Sequence, residues 1–455
     1  MKIRPVTVSA PPSKSLSHRK MIASSLARGT SRLSGVLESE DLARTIDVLT
    51  CLGAVIERAG EGEYTVTGIG GPPRMGPGAS IHCFMGESGT TCRLLTAVIA
   101  SGSGEFHIYG SGRLHERPMR DLSDALETLG AEVAFAGVPG HLPMTVKANG
   151  LSQPGGESWL PVPGDVSSQF LSGLLLAAPL AQNGLGLFLS GERPVSWPYI
   201  VLTLQTLEDA GCAFAVETLD HGQWKAVPWR SLSAGRPGMQ RFRVLPGLYK
   251  PLAGDKGVVE GDYSGASYLL AAGAAGPRPV RVTGLSPGSL QGDAVILDIL
   301  AAMGASVVWE EGAVTVSPGF LNGIDIDMAH CPDLVPTVAV LAAMGTGVTT
   351  IRGVPHLREK ESDRLSAPSQ ELAKIGCSVD VVPDGLVITP APGKFPEGPV
   401  YFSAHNDHRM AMSLALLGFA GVAVILDAPG CVAKSFPNFW DTWREIRTEP
   451  AVASL

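Results

Sequence analysis

The sequence predicts an α/β protein: two lobes, each of three repeated βαβαββ units. The first observation behind this is a recurring pattern, Leu-x-x-apolar-Gly-small-x-apolar. It occurs at Leu49–Ile56, Leu126–Val133, Leu207–Phe214, Leu300–Val307 and Leu372–Val379. Its glycines, Gly53, Gly130, Gly211, Gly304 and Gly376, fall 72–93 residues apart. Glycine just past a helix supplies the left-handed cap that turns the chain into the next element. Five such caps with the same neighbours indicate an internally repeated unit. The second observation is length: 455 residues exceed one ordinary core, so two or three domains are expected. The third is composition. With 45% hydrophobic and 17% charged residues, the chain is globular and well buried.

The elements follow in order. Val6–Val8 reads as a strand, Ser15–Arg28 as a helix closed by Gly29, Ser31–Leu33 as a strand and Asp41–Leu52 as a helix. Two strands follow, Val55–Arg58 and Tyr64–Thr67. The same order restarts at Ile81, near Trp159, near Gly257, near Asp325 and near Val400. The last unit ends in Phe439–Ile446 without the glycine signature, as terminal repeats often do. The first lobe is expected over residues 12–256, and the second over 1–11 plus 257–455. The stretch Val216–Asp255, with Trp224, Trp229 and several Pro and Gly, reads as an irregular insertion followed by the crossover between lobes.

Charge and cysteine usage exclude several classes. The net charge of −8 lacks the basic field of a nucleic-acid binder. Local basic clusters in an acidic chain point to small anionic ligands. The seven cysteines are scattered, with no Cys-x-x-Cys and no histidine at zinc spacing, so buried thiols in a reducing cytosol and no metal are expected. No signal peptide is evident at the start. Met410–Leu426 is apolar, but Gly418 and Gly421 interrupt it. A helix to Leu417, a glycine turn and a buried strand Val422–Leu426 fit better than a membrane span.

The clusters with chemistry sit at helix starts. Pro12-Ser-Lys-Ser-Leu-Ser-His-Arg19 places Ser13 as N-cap and Lys14, His18 and Arg19 in the first turns. Cations there oppose the helix macrodipole, which makes sense where an anion sits among them and the free N–H groups. Gly86-Glu-Ser-Gly-Thr-Thr-Cys-Arg93 and Asn406-Asp-His-Arg409 repeat the arrangement. Asp165-Val-Ser-Ser-Gln169 opens another helix, where capping alone would account for Ser167 and Ser168. In Arg358-Glu-Lys-Glu-Ser-Asp-Arg364, a helix would put Lys360 and Arg364 on one face at i and i+4. Like charges there repel, and a ligand anion would relieve them, leaving Glu361 free for proton transfer. A salt-bridged surface face is the plainer alternative. Pro368 would kink this helix. Asp333 opens the apolar helix Leu334–Met344, as an N-cap or a site carboxylate. Arg117 and Lys434 are further loop cations. Many cations, few bases and no metal or cofactor motif describe a site for two small anions, one phosphorylated and one a carboxylate.

These motifs occur in family order in the 5-enolpyruvylshikimate-3-phosphate synthase (3-phosphoshikimate 1-carboxyvinyltransferase) family, which the chain resembles from Pro12 to about Trp440. The matching segments are Ser13-Lys-Ser-x-Ser-x-Arg19, Glu116-Arg-Pro118, Ser167-Ser-Gln-Phe170, Lys360-Glu-Ser-Asp-Arg364, Asn406-Asp-His-Arg-Met-Ala-Met412 and Lys434. The resemblance implies an enolpyruvyl transferase-like inside-out α/β barrel, two lobes with helix N-termini facing an interdomain cleft. It implies transfer of the enolpyruvyl group of phosphoenolpyruvate to the 5-hydroxyl of shikimate 3-phosphate, without cofactor or metal. Shikimate 3-phosphate would meet Lys14, Ser15, Arg19, Ser167, Ser168, Gln169, Ser196, Tyr199, Asp333 and Lys360. Phosphoenolpyruvate would meet Lys14, Gly89, Arg117, Gln169, Arg364, Arg409 and Lys434. Asp333 and Glu361 would move protons and Lys14 would steady charge. Glyphosate is implied as an inhibitor, and a cytoplasmic monomer is expected, with no nucleic-acid or membrane partner.

The chain departs from the family pattern in three places. Glu87 replaces a common Asn, Leu94 a frequent Pro, and Trp197 stands at an often basic position. A UDP-N-acetylglucosamine enolpyruvyl transferase would share the fold, but Ser167-Ser-Gln169 and Lys360-Glu361 favour shikimate 3-phosphate. The acidic balance disfavours an RNA 3′-phosphate cyclase. A non-catalytic sugar-phosphate sensor would not need both Asp333 and Glu361.

Overall fold

Helices that are apolar on nearly every side have to be buried, and such helices occur in each half of this chain. The computed structural model describes residues 4–76, 78–153 and 158–447. It divides into two compact units, Lys14–Val259 and Met1–Ser13 with Glu260–Leu455. Strand β1 (Val6–Ser9) opens the chain and belongs to the second of these.

The first unit then runs α1 (Lys14–Leu26), β2 (Thr30–Leu33), α2 (Glu40–Cys51), β3 (Val55–Gly60) and β4 (Glu63–Thr67). Next come β5 (Ser80–Phe84), α3 (Gly89–Ala100), β6 (Ser103–Tyr109), α4 (Arg120–Thr128), β7 (Glu132–Phe135) and β8 (Met144–Asn149). The third stretch is β9 (Leu160–Pro163), α5 (Ser168–Ala177), β10 (Leu185–Ser190), α6 (Trp197–Asp209), β11 (Phe214–Asp220), β12 (Gln223–Val227) and β13 (Gln240–Val244).

The second unit repeats the scheme with α7 (Tyr263–Ala275), β14 (Val280–Thr283), α8 (Ile296–Met303), β15 (Ser306–Glu310) and β16 (Ala313–Ser317). It continues through β17 (Asp325–Asp327), α9 (Val335–Met344), β18 (Thr349–Arg352), α10 (Ser366–Ala373), β19 (Ser378–Val382) and β20 (Gly385–Thr389). It ends with β21 (Pro399–Phe402), α11 (His408–Leu414), β22 (Ala423–Leu426) and α12 (Phe439–Arg447).

The three four-stranded sheets share one topology. In β5-β6-β8-β7 the first two strands are parallel, and a hairpin returns antiparallel between them and the edge. The orders β1-β14-β16-β15 and β17-β18-β20-β19 copy it. The sheet β2-β4-β3 lacks a regular first strand. The returning segment near residues 252–259 runs beside β2 instead, through Arg32 N–H to Leu252 O and Val259 N–H to Ser34 O, both at 2.9 Å. All five signature glycines have positive φ, from 68° at Gly211 to 110° at Gly304. The cap inferred from the sequence is therefore the conformation that recurs.

In the first unit, α1 is buried from Leu16 onward, and every residue of α3 except Thr90 is buried. In the second, α7 and α9 are buried almost throughout. The amphipathic helices α2 and α4 keep polar faces outward. Helices α3 and α5 approach so closely that a Cβ on Gly173 would lie 2.7 Å from the Arg93 carbonyl oxygen and 3.2 Å from Ala97 Cβ. Only glycine fits there.

Three expectations need correction. The segment from Arg358 to Leu365 is not α-helical: a 3-10 turn covers Pro355–Glu359, and α10 starts at Ser366. Pro368 does not kink it, because it lies in the first helical turn, where its missing N–H has no intrahelical acceptor to lose. The stretch Val216–Asp255 is not irregular as a whole. It contributes to the sheet β12-β11-β13-β10-β9, in which β13 pairs with both β10 and β11, and only the β12 excursion is extra. The alternating Phe214-Ala-Val216 and Gln240-Arg-Phe242 carried that signal, obscured by nearby Trp, Pro and Gly. Finally, the helix expected up to Leu417 is short. It ends at Leu414, a 3-10 turn spans Ala415–Ala420, and Gly421 at φ 83° leads into β22. Among the described residues, no helix is long and apolar enough to cross a membrane.

Candidate active site

The motif-bearing first turns belong to the buried helices, so their polar residues are held by the protein interior. In the first unit Lys14, the first residue of α1, forms an ion pair with Asp41 near the start of α2. Arg19 is 2% exposed and donates four hydrogen bonds, to Thr203 Oγ1, Ser172 Oγ and the carbonyls of Ser15 and Tyr199. Burial pulls its pKa down to about 10, which leaves it charged at neutral pH. His18 is buried, with Nδ1 2.8 Å from Thr45 Oγ1. Burial, then the charges of Lys14 and Arg19, hold it well below the usual histidine range.

The glycine loop behaves as its sequence suggests. Ser88 caps α3, accepting the Thr91 N–H at 3.1 Å. Gly89 begins the helix, and a Cβ there would lie 2.6 Å from Arg117 Nη1. The Arg117 guanidinium thus packs against the glycine face. Gln169 joins this loop to α5: its Oε1 accepts from Arg93 Nη1 and its Nε2 donates to Thr90 Oγ1, each at 3.0 Å. Ser167 caps α5 through Gln169 N–H, the plainer of its two roles, and Ser168 is buried beside it. Ser196 precedes α6 with φ 57°, a left-handed conformation uncommon for serine. Tyr199 closes that turn, its N–H on the Ser196 carbonyl at 3.1 Å. Trp197 is buried and donates to Leu232 O, so this position packs here and does not carry charge. Glu87 abuts Gly112, where a Cβ would strike its carboxylate.

In the second unit four of the singled-out side chains meet. Arg364 is 1% exposed and binds three carboxylates. Its Nη1 reaches Asp333 at 2.9 Å, Nη2 reaches Glu361 at 2.8 Å, and Nε reaches Asp407 at 2.7 Å. The other Asp333 oxygen takes Arg409 Nη2 at 2.7 Å. Asp333 is not an N-cap, because it lies inside the 3-10 turn Pro332–Leu334 that leads into α9. Lys360 and Arg364 do not share a helical face, and no ligand is needed to relieve them: the carboxylates already surround Arg364. Burial alone would lower the Arg364 pKa, but Asp407, Glu361 and Asp333 together raise it. Lys360 is half-buried at the end of the 3-10 turn. Lys434 Nζ donates to the Asn406 carbonyl at 2.9 Å. Among the described residues, no three His, Cys, Asp or Glu side chains stand together in a way that could hold a metal ion.

The family model of EPSP synthase (3-phosphoshikimate 1-carboxyvinyltransferase) matches residues 5–443. The chain belongs to this family. It is 37% identical over 440 residues to the 3-phosphoshikimate 1-carboxyvinyltransferase of Marinomonas sp. (strain MWYL1), covering 96% of both chains. It is 39% identical over 444 residues to that of Thiobacillus denitrificans, covering 97% of this chain and 96% of the other. Its fold is similar to EPSP synthase from Acinetobacter baumannii, with TM-score 0.74 at 24% identity over 98% of this chain and 96% of that one. It is also similar to the enolpyruvyl transferase NikO from Streptomyces tendae, with TM-score 0.67 at 17% identity over the same shares. The chain therefore has the mixed α/β fold of the EPSP synthases.

Three acidic residues of this family member were not singled out from sequence. Asp41 directly follows Ser39-Glu40, which looks like ordinary capping. Asp407 lies inside the quoted Asn406-Asp-His-Arg409, where it caps α11 through Arg409 N–H at 2.9 Å as well as holding Arg364. Asp293 had no local signal. It is 3% exposed, accepts from Ser264 Oγ with one oxygen, and its Oδ1 finds no hydrogen-bond partner among the described residues. Burial, then the negative charge of Asp333, pushes its carboxyl up to about 7.

An exposed aspartate releases its proton near a pKa of about 3.9. A carboxyl raised in the folded state contributes stability that is full below that unfolded value and is lost as pH climbs through the folded one. Asp293→Asn should therefore gain in melting temperature relative to the parent as pH rises from about 5 to about 8. A difference independent of pH across that window would contradict the assignment.

Proposed function

We propose that the chain transfers the carboxyvinyl group of phosphoenolpyruvate to the 5-hydroxyl of shikimate 3-phosphate and releases phosphate, in the cytoplasm and as a monomer. The observation that carries this, beyond family membership, is that both proposed proton-transfer carboxylates, Asp333 and Glu361, are bonded to Arg364.

In this reading Asp333 takes the proton as the hydroxyl oxygen attacks C2. Glu361 delivers a proton to C3, which gives C2 oxocarbenium character, and Lys14 steadies the charge. The bond from C2 to the phosphate oxygen then breaks, C3 returns its proton to Glu361, and the double bond re-forms. Fixed cations favour the developing charge on the leaving phosphate. For phosphoenolpyruvate these would be Lys14, Arg117, Arg364, Arg409 and Lys434, with Gln169 and Gly89 beside them. Shikimate 3-phosphate would be held by Lys14, Ser15, Arg19, Ser167, Ser168, Gln169, Ser196, Tyr199, Asp333 and Lys360. Arg19 already spends four donors on the protein, which suits a preset, rigid binding group.

Phosphate release from phosphoenolpyruvate should depend strictly on shikimate 3-phosphate. Asp333→Asn and Glu361→Gln should each cut turnover roughly 10²- to 10⁴-fold while shikimate 3-phosphate still binds. Phosphate release without it, or near-normal turnover in Glu361→Gln, would refute the reading.

Glyphosate should compete with phosphoenolpyruvate at Gly89 and Arg117. A methyl group on Gly89 must displace the Arg117 guanidinium, so Gly89→Ala should weaken glyphosate inhibition by roughly ten- to two-hundredfold. An unchanged inhibition constant would show that the inhibitor does not sit there.

A further inference from the structure

Among the described residues, five that are not glycine have φ in the left-handed region: Ser196, His221, Glu311, His405 and Asn406. His221 and Glu311 sit beside Gly222 and Gly312 in the tips of two hairpins, where such turns are ordinary. His405 and Asn406, at φ 51° and 52°, are the only consecutive pair. They close no hairpin. They form the corner between β21 and α11, directly before Asp407. Residues held in such conformations persist only where their surroundings over-determine them.

Two carboxylates hold this corner, and one of them, Glu371 of α10, is 2% exposed. Its Oε1 lies 3.0 Å from His405 Nε2. Its Oε2 accepts the Ser403 N–H at 2.8 Å and Lys374 Nζ at 2.6 Å. Asp427 completes the clamp, accepting from Ala404 N–H at 2.8 Å and Ser403 Oγ at 2.6 Å. On its other side the corner supplies the Asn406 carbonyl to Lys434 and delivers Asp407 to Arg364 and to the Arg409 N–H. A buried carboxylate spent on a strained turn is not needed to form a helix or a strand. Its effect reaches three cations.

We propose that Glu371 and His405 are positioning residues for the phosphoenolpyruvate anion site. Together they hold the left-handed corner, and the corner fixes Lys434, Arg409 and Arg364 relative to one another. Without the Glu371–His405 contact, the corner relaxes to ordinary φ values and turns the Asn406 carbonyl away from Lys434. The inference rests on the proposed function above, which assigns those cations to phosphoenolpyruvate.

Two variants test it. Glu371→Gln keeps an acceptor for Ser403 N–H but removes the charge. His405→Asn keeps a residue that tolerates the left-handed region but is too short to reach Glu371. Phosphate release should be measured against each substrate in turn, alongside thermal melting. The KM for phosphoenolpyruvate should rise roughly ten- to hundredfold in both variants, the scale of a misplaced binding group. That rise should exceed any change in kcat and in the KM for shikimate 3-phosphate. A merely structural role would lower the melting temperature and leave the ratio of the two KM values unmoved, and that result would overturn the proposal. Absence of shikimate 3-phosphate-dependent turnover in the parent protein would instead refute the proposed function, and this inference with it.

Discussion

A single guanidinium, that of Arg364, is the constraint on which the second unit is built. Taking a charge out of water costs several kcal/mol, and only close, well-aligned counter-charges repay it. Here Asp333, Glu361 and Asp407 arrive from three different segments to do so. Their backbones are thereby fixed: Asp333 at the head of α9, Glu361 in the turn before α10, and Asp407 at the cap of α11. The groups proposed to carry the chemistry are the groups that neutralise the buried cation, so folding and site geometry are one requirement. The Asp407 carboxyl reflects the same balance. Burial would raise it, but Arg364, His408 and the Arg364 hydrogen bonds hold it below the usual aspartate range.

The first unit reaches a comparable result through packing. Helices α3 and α5 are buried because they are apolar nearly all round, α1 is buried with most of its residues polar or charged, and the first turns of all three inherit fixed positions. Gly173 lets α3 and α5 approach closely, and Gln169 then spans from α5 to Thr90 and Arg93 of α3. Cations at helix starts, unfavourable to the macrodipole, are tolerated where carboxylates or carbonyls answer them: Asp41 for Lys14, four acceptors for Arg19.

Much of the architecture was legible because it depends on local rules repeated many times. A left-handed glycine after a helix has the same physical cause at Gly53 as at Gly304. The first-turn positions of Lys14, Gly89, Ser168 and Arg409 followed from the same rules. Other features depend on contacts between distant segments and left no local mark. Nothing near Asp293 in sequence announces its buried environment, and Glu371 looks like an ordinary helical glutamate until Ser403 and His405 fold against it. The segment from Arg358 to Leu365 misled for a related reason: its charge spacing suits a helix, but Arg364 within it is paired to Asp333 and Asp407 of other elements as well as to its own neighbour Glu361, and the segment is a turn. Local charge counting sets Lys360 against Arg364, whereas the fold supplies Arg364 with counter-ions.

The central claim is that the Arg364 cluster holds the second unit together as well as forming part of its site. Equilibrium unfolding of Asp407→Asn measures this most directly, because the substitution keeps the shape and removes the most buried of the three counter-charges. Breaking such a pair should cost about 3–5 kcal/mol, since it leaves a buried cation under-compensated. A loss within about 0.5 kcal/mol, the range of surface substitutions, would show that Arg364 does not depend on Asp407 and would contradict the account.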